Sequence, residues 1–96
     1  MERGGSVYII TNKNHTTLYI GVTSNLIARI SEHRNKKNPK SFSARYNLEK
    51  LVYYESFHSI EEAIVREKKL KGWVRRKKED LLNSINPEWK DLYEDL

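Results

Sequence analysis

Val7-Tyr8-Ile9-Ile10-Thr11-Asn12-Lys13-Asn14-His15-Thr16-Thr17-Leu18-Tyr19-Ile20-Gly21 reads as two β-branched and aromatic runs joined by a polar turn. Val7–Asn12 and Thr17–Val22 have the composition of strands, and the turn at Lys13–Thr16 makes them an antiparallel hairpin. Side chains alternate faces along a strand. With Asn12 paired to Thr17 across the turn, Tyr8 lies opposite Gly21 and Ile10 opposite Tyr19. Both tyrosines then occupy one face, and Gly21 leaves a hollow beside Tyr8, as a glycine within a strand often does where a ligand or another backbone comes close. Tyrosine is also a good strand residue and a strand glycine can mark a bulge, so packing alone accounts for the same pattern.

Downstream, Ser24 or Asn25 caps a helix that runs to Asn35. Asn38-Pro39 breaks it, and Lys40–Leu48 reads as a basic loop or short turn. Leu51–Phe57 is a third, apolar strand. Ser59 caps the next helix, with Glu62 forming a capping box, and Gly72 interrupts it. Val74–Ile85 is a third helix, stopped by Asn86-Pro87. Trp89, Leu92 and Leu96 form a tail expected to dock back on the body. The order β-β-α-β-α-α, a small antiparallel sheet with helices, belongs to the α+β class.

A chain of 96 residues reads as one domain, residues 1–96. The absence of cysteine excludes disulfides and thiolate metal sites and suits a reducing cytoplasm. No apolar run approaches the roughly 20 residues that span a bilayer. No basic-apolar-small segment opens the chain, so a soluble, cytoplasmic protein without membrane contact is expected. The net charge is +5, and the pI is about 9.5. Positive charge gathers over Arg34–Arg45 and Arg66–Lys78, whereas Glu88 to Asp95 is mostly acidic. Basic clusters are the footprint of a polyanion partner. The candidates for nucleic-acid phosphates are Arg34, Lys36, Lys37, Lys40 and Arg45 in the first cluster, and Lys71, Arg75 and Arg76 in the second.

Two helices add chemistry to the hairpin. Arg29 and His33 are i and i+4, one turn apart beside the stripe of Leu26, Ile27 and Ile30. An arginine there can hold a phosphate in a planar fork. A histidine there can move a proton or donate to a phosphate oxygen. An ordinary amphipathic rim has the same spacing. On the second helix, Glu67 continues the inward face of Ile60, Ala63 and Ile64. An inward carboxylate costs free energy unless it is paired or bound to metal. A salt bridge to Arg29 or Lys71 answers that cost, and so does Mg²⁺, a hard cation that takes carboxylate oxygen. Two phenols, an arginine, a histidine and one inward carboxylate in basic surroundings suit phosphodiester hydrolysis with a single metal ion.

In this order the residues resemble the GIY-YIG nucleases, which include homing endonucleases, some restriction enzymes and the N-terminal nuclease domain of the repair protein UvrC. The second signature is intact as Tyr19-Ile20-Gly21; the first stands as Ser6-Val7-Tyr8, with serine where glycine is usual. Arg29 matches the helix arginine, and His33 the Tyr or His one turn later. Ala63 and Glu67 match the Ala-x-x-x-Glu of the metal-binding glutamate. Val22 replaces a lysine of the UvrC branch. The late site asparagine is matched by Asn86, with Asn83 as the other candidate. Nearly the whole chain is covered, and small stand-alone bacterial members resemble it most. The resemblance implies a three-stranded antiparallel sheet flanked by helices, and Mg²⁺- or Mn²⁺-dependent endonuclease cleavage of DNA, in repair or recombination. Glu67 would hold the metal, Arg29 would contact the scissile phosphate, and Tyr8, Tyr19 and His33 would position or deprotonate the attacking water. Asn86 would close the site. RNA stays open as a substrate, a protein partner is a source of specificity, and the oligomeric state is not read.

Two other readings compete. Phe42, Tyr46 and the basic loop Arg34–Arg45 could stack bases and track phosphates without catalysis. Trp73, Trp89 and Tyr93 could serve a protein interface. The set Tyr8, Tyr19, Arg29 and Glu67 argues against pure binding, which needs no buried carboxylate beside a phosphate. His15, His33 and His58 lie far apart in sequence, and without cysteine a zinc site is not expected.

Overall fold

The computed structural model describes residues 4–96. Strands β1 (Gly5–Thr11), β2 (Leu18–Thr23) and β3 (Lys50–Phe57) form one antiparallel sheet in the order β2-β1-β3. The hairpin has the register its turn requires, with Tyr8 opposite Gly21 and Ile10 opposite Tyr19. Asn12 fixes the turn: its side-chain carbonyl accepts from the Thr16 and Thr17 amides at 2.9 and 3.1 Å. Such side-chain bonds satisfy loop amides that a tight turn would otherwise strand.

As the central strand, β1 is covered on both faces, which is why its middle is a continuous apolar run rather than an alternation. Val7 and Ile9 pack with Ala63, Leu70, Leu82 and Trp89. Tyr8 and Ile10 pack on the other face with Ile30, Leu48 and Leu51. Pairing with β3 shifts register between Ile9 and Ile10, so that Val52 is the extra residue. The bulge turns both Val52 and its neighbour Tyr53 into the Val7–Ile9 core.

Helix α1 (Leu26–Arg34) is capped by Asn25, whose Oδ1 accepts from the Ala28 amide at 3.1 Å. The stretch expected as a loop after Asn38-Pro39 contains a single helical turn, α2 (Phe42–Arg45), capped by Ser41. One turn is too short to show a hydrophobic period. Ser59 caps α3 (Ile60–Lys71), accepting from the Glu62 amide, while its own hydroxyl reaches the Glu62 carboxylate. Gly72 ends α3, and α4 (Arg75–Ile85) follows. The observed order is therefore β-β-α-α-β-α-α.

The tail wraps the exposed edge of β3. Trp89 enters the Val7–Ile9 core with φ 53°, an uncommon backbone for a bulky residue, and Leu92 and Tyr93 of a closing 3₁₀ turn (Leu92–Asp95) pack against the opposite core. Asp91 accepts from the Leu51 amide at 3.3 Å, which blunts the strand edge. Leu96 stays exposed, so docking ends before the last residue. No helix among the described residues is long and apolar enough to cross a membrane.

Candidate active site

The site grows from the Tyr8 face of the hairpin. A Cβ added at Gly21 would fall 2.3 Å from both Cζ and the hydroxyl of Tyr8. The expected hollow beside Tyr8 is therefore filled by the tyrosine's own ring, which lies across Gly21. This places the phenol, itself only 1% exposed, against α1.

There the Tyr8 hydroxyl meets His33 Nε2 at 2.9 Å. His33 Nδ1 meets Ser43 Oγ at 2.8 Å. Ser43 Oγ lies 3.2 Å from Ser41 Oγ, which also accepts from the Ala44 amide as the cap of α2. The result is a hydrogen-bonded chain from a buried phenol to a half-buried hydroxyl. Burial pushes His33 down to about 4, and the positive charge of Arg29 pushes the same way. The imidazole is neutral near pH 7, so one nitrogen donates and the other accepts, and the chain closes in either direction. Burial pushes the Tyr8 phenol up to about 12, against the opposing pull of Arg29, with Tyr19 and Glu67 adding to the rise.

Tyr19 completes the cluster, its ring 6.5 Å from Tyr8 and 5.9 Å from His33. Arg29 projects from α1 into a cleft of about 390 Å³ lined by Glu32, His33, Lys37, Asn38, Ser41 and Ser43. Its guanidinium donates to Glu32 at 3.0 Å and keeps nearly half of its surface in water. Glu67 comes from α3, which packs on the opposite face of the sheet over β1 and β2. Its carboxylate is 13% exposed, pairs with Lys71 at 2.9 Å, and lies close enough for its charge to oppose ionisation of Tyr8. Lys71 and Tyr19 line one groove, so the site wraps the β2 edge.

The structure thus brings Tyr8, Tyr19, Arg29, His33 and Glu67 together, with Gly21 beneath them. It does not bring Asn86. That side chain is buried at the end of α4, where its amide donates to the Val52 and Lys90 carbonyls and its oxygen accepts from the Lys90 amide. These bonds use both N–H groups and the oxygen, so Asn86 clamps the tail to the β3 bulge. Asn83 does similar work, accepting from the Trp89 indole.

Two of the expected phosphate contacts are also occupied. Arg34 pairs with Asp91 at 2.6 Å, donates to the Glu49 carbonyl and lies 4.6 Å from the Tyr93 ring centroid. Arg75 ties α4 to the hairpin turn through the His15 and Thr16 carbonyls. Lys36, Lys40, Arg45 and Arg76 are exposed, while Lys37 pairs with Glu32 at 3.4 Å and Lys71 with Glu67. Sequence reasoning missed Ser41 and Ser43. The only signal was a serine after Asn38-Pro39-Lys40, in cap position before a helix too short to be recognised.

Residues 4–80 match the GIY-YIG catalytic domain. The chain belongs to the GIY-YIG family. It is 30% identical over 94 residues to a UPF0213 protein of Bacillus pumilus, covering 98% of this chain and 95% of that one. It is 40% identical over 72 residues to a UPF0213 protein of Staphylococcus haemolyticus, covering 75% and 85%. The solution NMR structure of the UPF0213 protein BH0048 from Bacillus halodurans superposes with a TM-score of 0.57 at 32% identity, over 92% of each chain. GIY-YIG membership makes the protein one of a nuclease family and implies nucleic acid as its class of substrate. Asn86 lies outside the matched span.

Proposed function

We propose that this GIY-YIG protein is a divalent-metal-dependent endonuclease that hydrolyses DNA phosphodiester bonds. The observation that carries the reading is the convergence of Tyr8, Tyr19, Arg29, His33 and Glu67 at one edge of the sheet. Hydrolysis requires an attacking water to lose a proton, a phosphorane-like charge to be offset, and an oxygen to leave. Arg29, half in water at the mouth of its cleft, is free to meet the phosphate in place of Glu32. Tyr8 takes the proton of the water while passing its own to His33 Nε2. The imidazole of the free site is too acidic to keep that proton at neutral pH. The phosphodiester anion, which gains a second negative charge as the water attacks, raises its basicity, so the proton is accepted when substrate is present. Ser43 holds the imidazole in register for this transfer.

The donor chemistry fits Mg²⁺ or Mn²⁺. Glu67 is a hard oxygen ligand whose Oε1 has no partner among the described residues. No cluster of three carboxylate, histidine or cysteine side chains exists among the described residues. That suits a small hard cation held by one carboxylate, waters and substrate phosphate rather than by a protein cage. When bound, such an ion polarises the phosphate and stabilises the leaving oxygen.

The test is incubation of purified protein with single-stranded, duplex, flap and branched DNA in Mg²⁺, Mn²⁺ or chelator, beside the Glu67→Gln variant. Metal-dependent cleavage that Glu67→Gln abolishes, with its DNA affinity held or improved, is the expected result. Wild-type-like cleavage by Glu67→Gln would falsify the site as drawn. If Glu67 serves only to pair with Lys71, its loss would lower stability and leave cleavage intact.

A further inference from the structure

The aromatic side chains do not stop at the catalytic cluster. Phe42, the first residue of α2, stacks on Tyr19 with centroids 5.9 Å apart and planes 30° apart. Tyr46, at the far end of the same turn, lies 4.6 Å from Phe42. The row leads outward from Tyr19 into water, and Phe42 and Tyr46 remain 48% and 46% exposed. Aromatic rings that serve only packing are ordinarily turned inward. Beside the row runs a groove of about 400 Å³ lined by Leu18, Tyr19, Ile20, Phe42, Lys71 and Lys78. Of the residues that line it, Lys71 is the lysine paired with Glu67. Lys78 has no ion-pair partner among the described residues.

An apolar surface with a cationic rim calls for an occupant with a flat apolar face and a negative charge. A second copy of this chain is opposed by like charge, since each copy carries +5 and Lys71 and Lys78 line the groove itself. A base inside a duplex has both of its faces covered by neighbours, whereas an unpaired base offers a free π-face to an aromatic ring. We propose that Phe42 and Tyr46 are a stacking platform for an unpaired nucleobase next to the phosphate in the catalytic cluster, with Lys71 and Lys78 on the adjoining backbone. The platform selects single-stranded or frayed nucleic acid over intact duplex. Its placement rests on the nuclease reading, whereas the stacking itself does not.

The experiment measures affinity in chelator, at fixed salt, for a single-stranded DNA oligonucleotide carrying 2-aminopurine and for a duplex of equal length. Wild type is compared with Phe42→Leu, which keeps apolar bulk without a π-face, and with Phe42→Leu/Tyr46→Leu. The wild type should prefer the single strand and quench the 2-aminopurine. Each substitution should weaken single-strand binding by roughly 5- to 150-fold, the range measured for one base–aromatic stack. Duplex affinity and melting temperature should hold, and Phe42→Tyr should restore binding. Unchanged single-strand affinity in the double variant would overturn the platform, and so would an equal loss on the duplex. A leucine-sensitive self-association seen by sedimentation, with single-strand binding intact, would overturn it in favour of an interface between copies. The two readings fail separately: selective loss of single-strand binding in a protein that never cleaves DNA keeps the platform and removes the nuclease.

Discussion

Gly21→Ala should damage this protein more than a surface-strand glycine would suggest. The new methyl carbon would lie 2.3 Å from Cζ and the hydroxyl of Tyr8 and 2.9 Å from Cε1. Non-bonded carbons rest about 3.5–4.0 Å apart, so the ring must retreat by about 1 Å. It has nowhere to go, being enclosed by Ile10, Ile30, Leu48 and Leu51. Any retreat also pulls the hydroxyl out of line with His33 Nε2, now 2.9 Å away. Overpacking of this kind costs about 1–3 kcal/mol. A buried polar group left without its partner costs about 1–3 kcal/mol more. Even the low end, about 2 kcal/mol, lowers the melting temperature by roughly 8–16 °C in a domain of this size.

Urea unfolding of wild type, Gly21→Ala, Tyr8→Ala and the double variant isolates the clash. In the Tyr8→Ala background the added methyl meets open space, so Gly21→Ala should cost almost nothing there. The coupling between the two sites should therefore take up nearly the whole cost, at least about 2 kcal/mol, at the upper end of the roughly 0.5–3 kcal/mol found for residues in direct contact. A Gly21→Ala protein within about 0.5 kcal/mol of wild type, or an equal cost in both backgrounds, would refute the account of the tyrosine lying across the glycine.

Acid should act through His33. Its folded pKa, about 4, lies below the ordinary 6.5, so its contribution is complete above pH 6.5 and is lost as pH falls toward 4. The loss amounts to at most about 3 kcal/mol. The stability gap between wild type and His33→Gln should narrow across that window, and parallel curves would contradict the buried neutral imidazole. Arg29→Ala should lower turnover by on the order of 10²–10³ while weakening DNA binding far less; equal losses in both would make Arg29 a plain phosphate anchor. Arg34→Ala should destabilise the fold by about 1–2 kcal/mol and leave the salt dependence of binding unchanged, since its partners are Asp91, Glu49 and Tyr93. Lys40→Ala or Arg76→Ala should instead preserve stability and flatten the slope of log affinity against log salt by about 0.9 on duplex DNA.

The hairpin was legible because its information is local. Alternation and one turn length fix which residues of β1 and β2 face each other, and the observed register follows. The caps Asn25 and Ser59 were legible for the same reason: each bonds to an amide three residues away. Long-range partners were not. Arg34 and Arg75 look like free cations in sequence, yet their partners lie 57 and 60 positions away. Asn86 likewise spends its amide on a carbonyl 34 positions back. The bulge at Val52 depends on β1–β3 pairing and left no mark in an unbroken apolar run. The motif residues found each other because motif spacing stores geometry that single residues do not; Ser43, outside the motif, had no such help.

The sheet divides its labour by face. The Val7–Ile9 side receives α3, α4 and Trp89, a packed apolar core that needs no special chemistry. The Tyr8–Ile10 side receives fewer apolar residues and a buried phenol–imidazole–hydroxyl chain. Burying such polar groups is costly unless each is paired, and here each is. Burial keeps Tyr8 and His33 neutral in the free protein, so neither carries a charge the fold would have to support. Charge enters only from the rim, with Arg29 on one side of the phenol and Glu67 on the other, acting on it with opposite signs. Each rim charge is held by a neighbour on its own helix, Glu32 and Lys71 respectively. The Arg29–Glu32 pair is a half-exposed helical pair worth well under about 1 kcal/mol, which a phosphate can replace at little cost, and the more buried Glu67 would exchange Lys71 for a divalent cation, trading one positive partner for another. The buried chain sets the geometry, and the rim pairs hold the two charges that an arriving substrate would take over.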